Sequence, residues 1–114
     1  MYKHESESAH KAQIQLSITR ITKMETLFNL LSESFGENPD FLKTSEELQN
    51  AASLLSDYLS NGEWLQDHDL DEQKLLPSTL KHGVLSEDGL YNLLCDIKDW
   101  WKDNCGGEMN VAET

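Results

Sequence analysis

The chain has 114 residues, of which 9 are basic and 21 are acidic, so its formal net charge is −12. This length predicts one domain with its own apolar core, and the acidic balance disfavours direct binding of DNA, RNA or an anionic membrane, since those partners require lysine and arginine. The sequence has no apolar run long enough to span a bilayer and no signal-peptide core, so we expect a cytoplasmic protein.

The first predicted helix covers residues 9–35. Its apolar residues recur at steps of three and four, which places them in one stripe along a helix. The stripe consists of Ile14, Ile18, Ile21, Met24, Phe28, Leu31 and Phe35. Gly36 follows at the position where a helix end favours a left-handed residue. We expect residues 1–8 to form a flexible N-terminus.

The second predicted helix ends at residues 61–62, and its start has two candidates. Asn38 and Pro39 form one signal, because asparagine caps helices and proline fits the first turn. Thr44 forms a competing capping box with Glu47, three residues later. The apolar stripe consists of Phe41, Leu48, Ala52, Leu55 and Leu59, with Ala51, Leu54 and Tyr58 beside it.

Residues 63–85 contain many apolar side chains but lack a regular period. We interpret them as a structured connector with one or two short helical turns, one of them at residues 77–81. Three large apolar residues near its two ends should pack against the helices: Trp64, Val84 and Leu85.

The last predicted helix begins at Ser86. Glu87 and Asp88 lie in its first turn, where carboxylates complement the helix dipole. Its apolar stripe consists of Leu90, Leu93, Leu94, Ile97, Trp100 and Trp101. Residues 106–114 are predicted to be a flexible tail.

No stretch of the sequence alternates with period two, so we expect no sheet. The predicted architecture is all-α: a small bundle of three main helices joined by a long structured connector that carries short helical turns. We expect a single domain at residues 9–105.

Residues 62–94 carry the most distinctive pattern in the chain. It consists of Gly62-Glu63-Trp64-Leu65, Asp67, Asp71-Glu72, Leu76-Pro77, Leu80, Gly83-Val84-Leu85-Ser86-Glu87-Asp88, Tyr91 and Leu93-Leu94. The pattern resembles a family of small bacterial proteins known as domain of unknown function 4298, over residues 20–103. The resemblance implies a bacterial, cytosolic, mostly helical protein and supplies no catalytic residue. The chain departs from the family pattern with Lys74 for a common glycine, His82 for a common arginine and Gly89 for a common alanine.

The aspartates at 67, 69 and 71 alternate like the opening of an EF-hand loop. Calcium would then require glycine at loop position six and glutamate at position twelve, where the chain has Glu72 and Ser78. Zinc would require further cysteine or histidine ligands near His68. Phosphate-binding loops and hydrolase motifs are absent from the sequence. We therefore predict no metal, no cofactor and no catalytic residues.

Cys95 and Cys105 both lie in the last predicted helix or at its end. At 1.5 Å per residue they are about 15 Å apart along the axis, beyond the Cα separation of about 7 Å that a disulfide permits. We expect two free thiols, as in a reducing compartment, with Cys95 packed in the bundle and Cys105 exposed.

Negative charge is concentrated in the C-terminal part of the chain. Residues 1–43 have a net charge of −1 and residues 44–114 a net charge of −11, and the segment 57–72 has six acids without lysine or arginine. Such density costs self-repulsion in the folded state. A docking surface for a basic partner is one interpretation, and a solvated surface that only keeps the protein soluble is the other. The candidate partner-binding residues are Asp57, Glu63, Asp67, Asp69, Asp71, Glu72, Asp96, Asp99, Trp100, Trp101 and Asp103.

Adjacent helical residues diverge by about 100°, so Trp100 and Trp101 cannot both face one core, and one of them is a candidate surface anchor. The function we predict is that of an immunity protein or antitoxin, which binds and neutralises a basic protein, a nuclease toxin. One alternative is a phage nucleic-acid mimic that inhibits a DNA- or RNA-binding defence complex. Another is a helical adaptor or homodimer.

Overall fold

The computed structural model describes residues 2–86 and 88–106, with side chains from residue 11 onward. The α-helices are α1 (Tyr2–Glu37), α2 (Phe41–Thr44), α3 (Glu46–Ser60), α4 (Glu63–Glu72) and α5 (Gly89–Cys105), and a 3₁₀ helix covers Gly83–Leu85. No strand occurs in these two ranges, and the all-α prediction is confirmed. The described residues form three long helices, α1, α3 and α5, and two shorter ones, α2 and α4, and the three-helix detail of the prediction is not confirmed.

Helix α1 is the central element, because it packs against the other four α-helices and the 3₁₀ helix. Its 36 residues extend about 54 Å at 1.5 Å per residue, close to the 59 Å length of the molecule. From residue 11 onward, where its side chains are described, Ile21 and Leu31 are fully enclosed, whereas Leu16 is 67% exposed. The helix includes residues 2–8, so it begins earlier than the sequence predicted.

The second predicted helix is divided at Ser45. The Asn38 side chain closes a turn before the short helix α2 and does not cap a long helix. Ser45 is extended, and its Oγ accepts a hydrogen bond from the Leu48 N–H at 3.2 Å. Ser45, not Thr44, is therefore the residue that caps α3.

The apolar core draws on α1, α2, α3, α5 and the 3₁₀ helix, together with Leu70 of α4. Its most enclosed apolar members are Ile21, Leu31, Leu42, Ala51, Ala52, Leu55, Tyr58, Val84, Leu90 and Ile97. The apolar residues predicted for α3 and α5, in their stripes or beside them, supply six of these ten. Apolar periodicity therefore revealed both helices, although not their first residues. Phe41, which the sequence placed in the stripe, is 42% exposed, and its neighbour Leu42 is buried instead.

Helix α4 occupies the first half of the predicted connector. It buries only Asp67 and Leu70, so the apolar period that reveals other helices is missing from its sequence. It begins after Gly62, whose φ of +93° lies in the left-handed region that favours glycine. At residues 77–81 the predicted helical turn is a single hydrogen-bonded turn.

Val84 is fixed in the 3₁₀ helix through both of its backbone polar groups. Its N–H donates to Glu25 Oε1 at 2.7 Å, and its C=O accepts from Trp64 Nε1 at 2.9 Å. A Cβ on neighbouring Gly83 would lie 3.4 Å from the Glu25 carboxylate, in van der Waals contact with it. Val84 and Leu85 are buried as predicted, while Trp64 is half-buried.

Helix α5 begins at Gly89, three residues later than the predicted start at Ser86. Asp88 occupies the N-cap position, but its side chain makes no capping hydrogen bond. The prediction for Glu87 lies outside the described residues, as does the predicted tail beyond Gly106.

Candidate partner-binding surface

A polar cluster joins α1, α3 and α4 around Asp67. The Arg20 guanidinium donates two hydrogen bonds to this carboxylate, from Nε to Oδ2 at 2.9 Å and from Nη2 to Oδ1. The Tyr58 hydroxyl donates to the same Oδ2 at 2.7 Å. Ser17 Oγ accepts a further bond from Arg20 Nη2 at 3.2 Å. The carboxylate is therefore held by two helices besides its own.

The environment of this cluster raises the pKa of two of its members, Arg20 and Tyr58. Asp67 is 0% exposed, and an enclosed carboxylate is stable only when it is paired and hydrogen-bonded. The hydrogen bond to Asp67 raises the pKa of Arg20, and burial together with that same carboxylate raises the pKa of Tyr58. At neutral pH Arg20 is thus a cation and Tyr58 a neutral donor.

The burial of Asp67 contradicts its prediction as a partner-binding residue. Its side chain has no accessible surface, and its hydrogen bonds go to Arg20 and Tyr58 within the chain. Glu63 is also partly engaged, because Oε2 lies 3.4 Å from Arg20 Nη1 and Oε1 accepts from Asn61 Nδ2 at 3.0 Å. The cluster therefore joins helices and presents little charge to solvent.

The remaining acids of segment 57–72 lie at the surface. Asp57, Asp69 and Glu72 are exposed, and Asp71 is half-buried. Asp69 accepts a hydrogen bond from the neutral Gln73 amide at 2.8 Å, which leaves its charge uncompensated. Within the described ranges, none of these four carboxylates is paired with lysine or arginine.

Two of these carboxylates face histidines. Asp71 Oδ1 lies 3.6 Å from His82 Nε2, and Glu72 Oε1 lies 3.8 Å from His68 Nε2. The His68 ring also stacks on Trp64, with centroids 4.7 Å apart. The imidazoles thus lie beside these carboxylates, and an imidazole neutralises a carboxylate charge only when it is protonated.

The charge on α5 is mixed. Asp96, Asp99 and Asp103 are exposed there, and exposed Lys98 and Lys102 alternate with them. Helix α4, by contrast, has five acids and neither lysine nor arginine. The two predicted acidic faces therefore differ, and the net negative field is stronger at α4.

Both tryptophans of α5 are half-buried against the core. The Phe35 ring meets Trp100 edge to face with centroids 6.1 Å apart, and Lys43 Nζ lies 5.6 Å from the centroid of a Trp100 ring. Trp101 packs against Trp100 with centroids 6.4 Å apart. Both rings therefore pack on the bundle. That either of them contacts a partner stays a prediction.

A shallow depression of about 450 Å³ lies at the outer face of α4, lined by Gly62, Leu65, Gln66 and Asp69. Leu65 is 64% exposed, although it is a large apolar residue. A Cβ placed on Gly62 would have no atom within 4 Å, so that side of the depression is open. An exposed apolar side chain thus lies beside an exposed carboxylate.

Metal-ligating side chains are dispersed in the described part of the chain, and no group of three or more His, Cys, Asp or Glu is arranged to hold an ion. Cys95 is half-buried and Cys105 exposed, and both have free thiols. No helix in the described ranges is long and apolar enough to cross a membrane.

Arg20 and Leu65 are the residues that sequence reasoning missed. Arg20 is the single arginine of the chain, and Glu63 and Asp67 are four residues apart, which places them on one face of a helix. This spacing could have predicted an ion pair between Arg20 and these two acids, but only if residues 63–72 had first been recognised as a helix. No sequence signal distinguished Leu65 from a core leucine.

The described residues define a small all-α domain with an enclosed polar cluster and an acidic surface. The sequence model of the family "Domain of unknown function (DUF4298)" matches residues 21–104, which is more than half of the chain, and the chain belongs to that family. The resemblance seen in the sequence is thereby confirmed. No curated protein and no solved structure matches the chain.

Proposed function

We propose that the chain is a non-catalytic protein that binds a basic protein partner and neutralises it, as an immunity protein or antitoxin does. The partner class is a nuclease toxin, and the location is the bacterial cytoplasm. The observation that carries the proposal is the set of surface carboxylates at Asp57, Asp69, Asp71 and Glu72 without lysine or arginine partners.

Electrostatics connect this surface to that partner class. A nuclease must bind phosphates, so its substrate cleft is rich in lysine and arginine. An acidic surface raises the association rate with such a cleft and selects it over other partners. Unneutralised carboxylates repel one another in the free protein, and a basic partner relieves that repulsion on binding. The two free thiols fit a reducing compartment.

The test uses the full chain and a charge-reversed variant. Asp57, Asp69 and Glu72 are replaced with lysine, and both proteins capture partners from native lysate of the source cell. The captured protein is then purified, and its nuclease activity is titrated with the wild-type chain. We expect loss of nuclease activity at a defined molar ratio, and slower association of the variant, most of all at low salt, where charges are screened least.

A matched control replaces Asp96, Asp99 and Asp103 of α5 with lysine, which changes the net charge by the same amount. We expect this control to associate faster than the α4-side variant. A captured partner without nuclease activity, or with nuclease activity that the wild-type chain leaves unchanged, would contradict the proposed function.

A further inference from the structure

The outer face of α4 is a helix face that the rest of the described chain does not cover. Leu65, Gln66, Asp69 and Glu72 are exposed on it, while Asp67 and Leu70 face inward. Residues 65, 69 and 72 are spaced by four and three, so they form one surface row. The face combines an exposed leucine with carboxylates, and these two features define which side chains of a partner could bind there.

Leu65 supplies the apolar element of this face. It is 64% exposed and borders the depression of about 450 Å³ that Gly62, Gln66 and Asp69 complete. Isolated exposed leucines are common, but a leucine at the edge of a concavity can be covered by a partner side chain that inserts there. Burial of such a contact removes apolar surface from water.

The charge around Leu65 decides what kind of side chain would insert. Asp69 and Glu72 lie on the same face and have no lysine or arginine partner in the described ranges. Lys98 and Lys102 lie among the carboxylates of α5, whereas α4 contains neither lysine nor arginine. Arg20 of α1 pairs with the inward-side residues Glu63 and Asp67 of α4, and not with Asp69 or Glu72. A partner segment that covers Leu65 must therefore place cationic groups opposite these carboxylates.

From the exposed leucine, the depression and the uncompensated carboxylates, we infer that the outer face of α4 docks a lysine- or arginine-rich protein segment that carries one apolar anchor, with the anchor seated against Leu65. This inference rests on the proposed function and deepens it, because it assigns the contact to α4 and not to α5. The carboxylates steer and select the segment, and the apolar contact slows its dissociation.

The experiment is a double-mutant cycle with synthetic peptides. One peptide is lysine-rich with a single central leucine, and the other has alanine in place of that leucine. Affinities are measured for the wild-type chain and for Leu65→Ala. We expect the wild-type chain to prefer the leucine peptide by roughly three- to tenfold, and Leu65→Ala to lose that preference.

Leu16→Ala is the matched control, because Leu16 of α1 is 67% exposed and Leu65 64%. We expect this control to keep the full preference. A preference that survives in Leu65→Ala, or its absence from the wild-type chain, would overturn the inference. The proposed function is decided independently by nuclease inhibition, so a chain that inhibits the nuclease without this preference uses another surface.

Discussion

Arg20 and Asp67 form a bidentate ion pair across 47 residues of sequence, and the carboxylate of that pair is completely enclosed. Tyr58 donates a third hydrogen bond to Asp67, so three helices meet at one side chain. The pair joins α1 to a helix that buries few apolar residues, so it is one of the main contacts that hold α4 on the bundle. The acidic residues of α4 thus have two different roles, one internal and one at the surface.

The first prediction concerns removal of the buried charge. Asp67→Asn removes the enclosed negative charge that binds the Arg20 guanidinium, while Arg20 stays 20% exposed and retains Glu63. The expected cost is that of losing hydrogen bonds to a charged group, about 1.5–3 kcal/mol. We expect a loss of that size in the free energy of unfolding, measured by urea denaturation with circular dichroism. Asp69→Asn is the control, since exposed Asp69 should change stability by only about 0.5 kcal/mol. Equal effects of the two substitutions would contradict the structural role of Asp67.

Alkaline pH should destabilise the fold through Tyr58. Burial and the hydrogen bond to Asp67 raise the pKa of the phenol in the folded state, so the unfolded chain loses this proton first. The stabilising contribution is complete below the unfolded pKa of about 10 and is lost as pH rises above it, at up to about 1.4 kcal/mol per pH unit.

Tyr58→Phe isolates that contribution, because lysine titration is common to both proteins. We expect the stability advantage of wild type over Tyr58→Phe to be constant between pH 7 and about pH 9 and to shrink above about pH 10. The measurement is urea denaturation at a series of pH values. An advantage independent of pH up to about pH 11 would show that Tyr58 ionises freely in the folded state.

Apolar periodicity predicted the helices whose buried face is apolar. Residues such as Ile21, Leu55 and Ile97 repeat at helical spacing and are enclosed in the core. The apolar pattern did not predict helix α4, because Asp67 lies on its inward face. The burial of Asp67 depends on Arg20, which is far away in the sequence. From composition alone we assigned all the acids of segment 57–72 to the surface. Only the structure shows that Asp67 is paired with Arg20 and buried, whereas Asp69 is exposed.

The third prediction concerns the hydrogen bond between Trp64 and Val84 of the 3₁₀ helix. Trp64→Phe retains an aromatic ring but removes the N–H that binds the Val84 carbonyl at 2.9 Å. A carbonyl that loses its partner in a buried environment costs about 1–3 kcal/mol, and we expect a loss of stability in that range by chemical denaturation. Trp101→Phe is the control at another half-buried tryptophan. A smaller loss for Trp64→Phe than for Trp101→Phe would mean that solvent replaces the indole donor.

The last prediction concerns Lys74, which has a φ of +60° at the C-terminal end of α4. The Leu75 N–H binds the Leu70 carbonyl at 3.1 Å and the Lys74 N–H binds the Asp71 carbonyl at 3.0 Å, which is the hydrogen-bond pattern of a Schellman motif. A left-handed conformation costs a residue with a Cβ about 1–2 kcal/mol, so Lys74→Gly should stabilise the fold by about 1 kcal/mol, even after the added chain entropy of glycine. Thermal unfolding should show a midpoint several degrees higher, on the order of 4–8 °C per kcal/mol for a domain near this size.

Lys74→Ala separates conformation from charge, because it removes the ammonium but retains the Cβ. An equal gain from both substitutions would attribute the effect to the lysine side chain and not to the backbone.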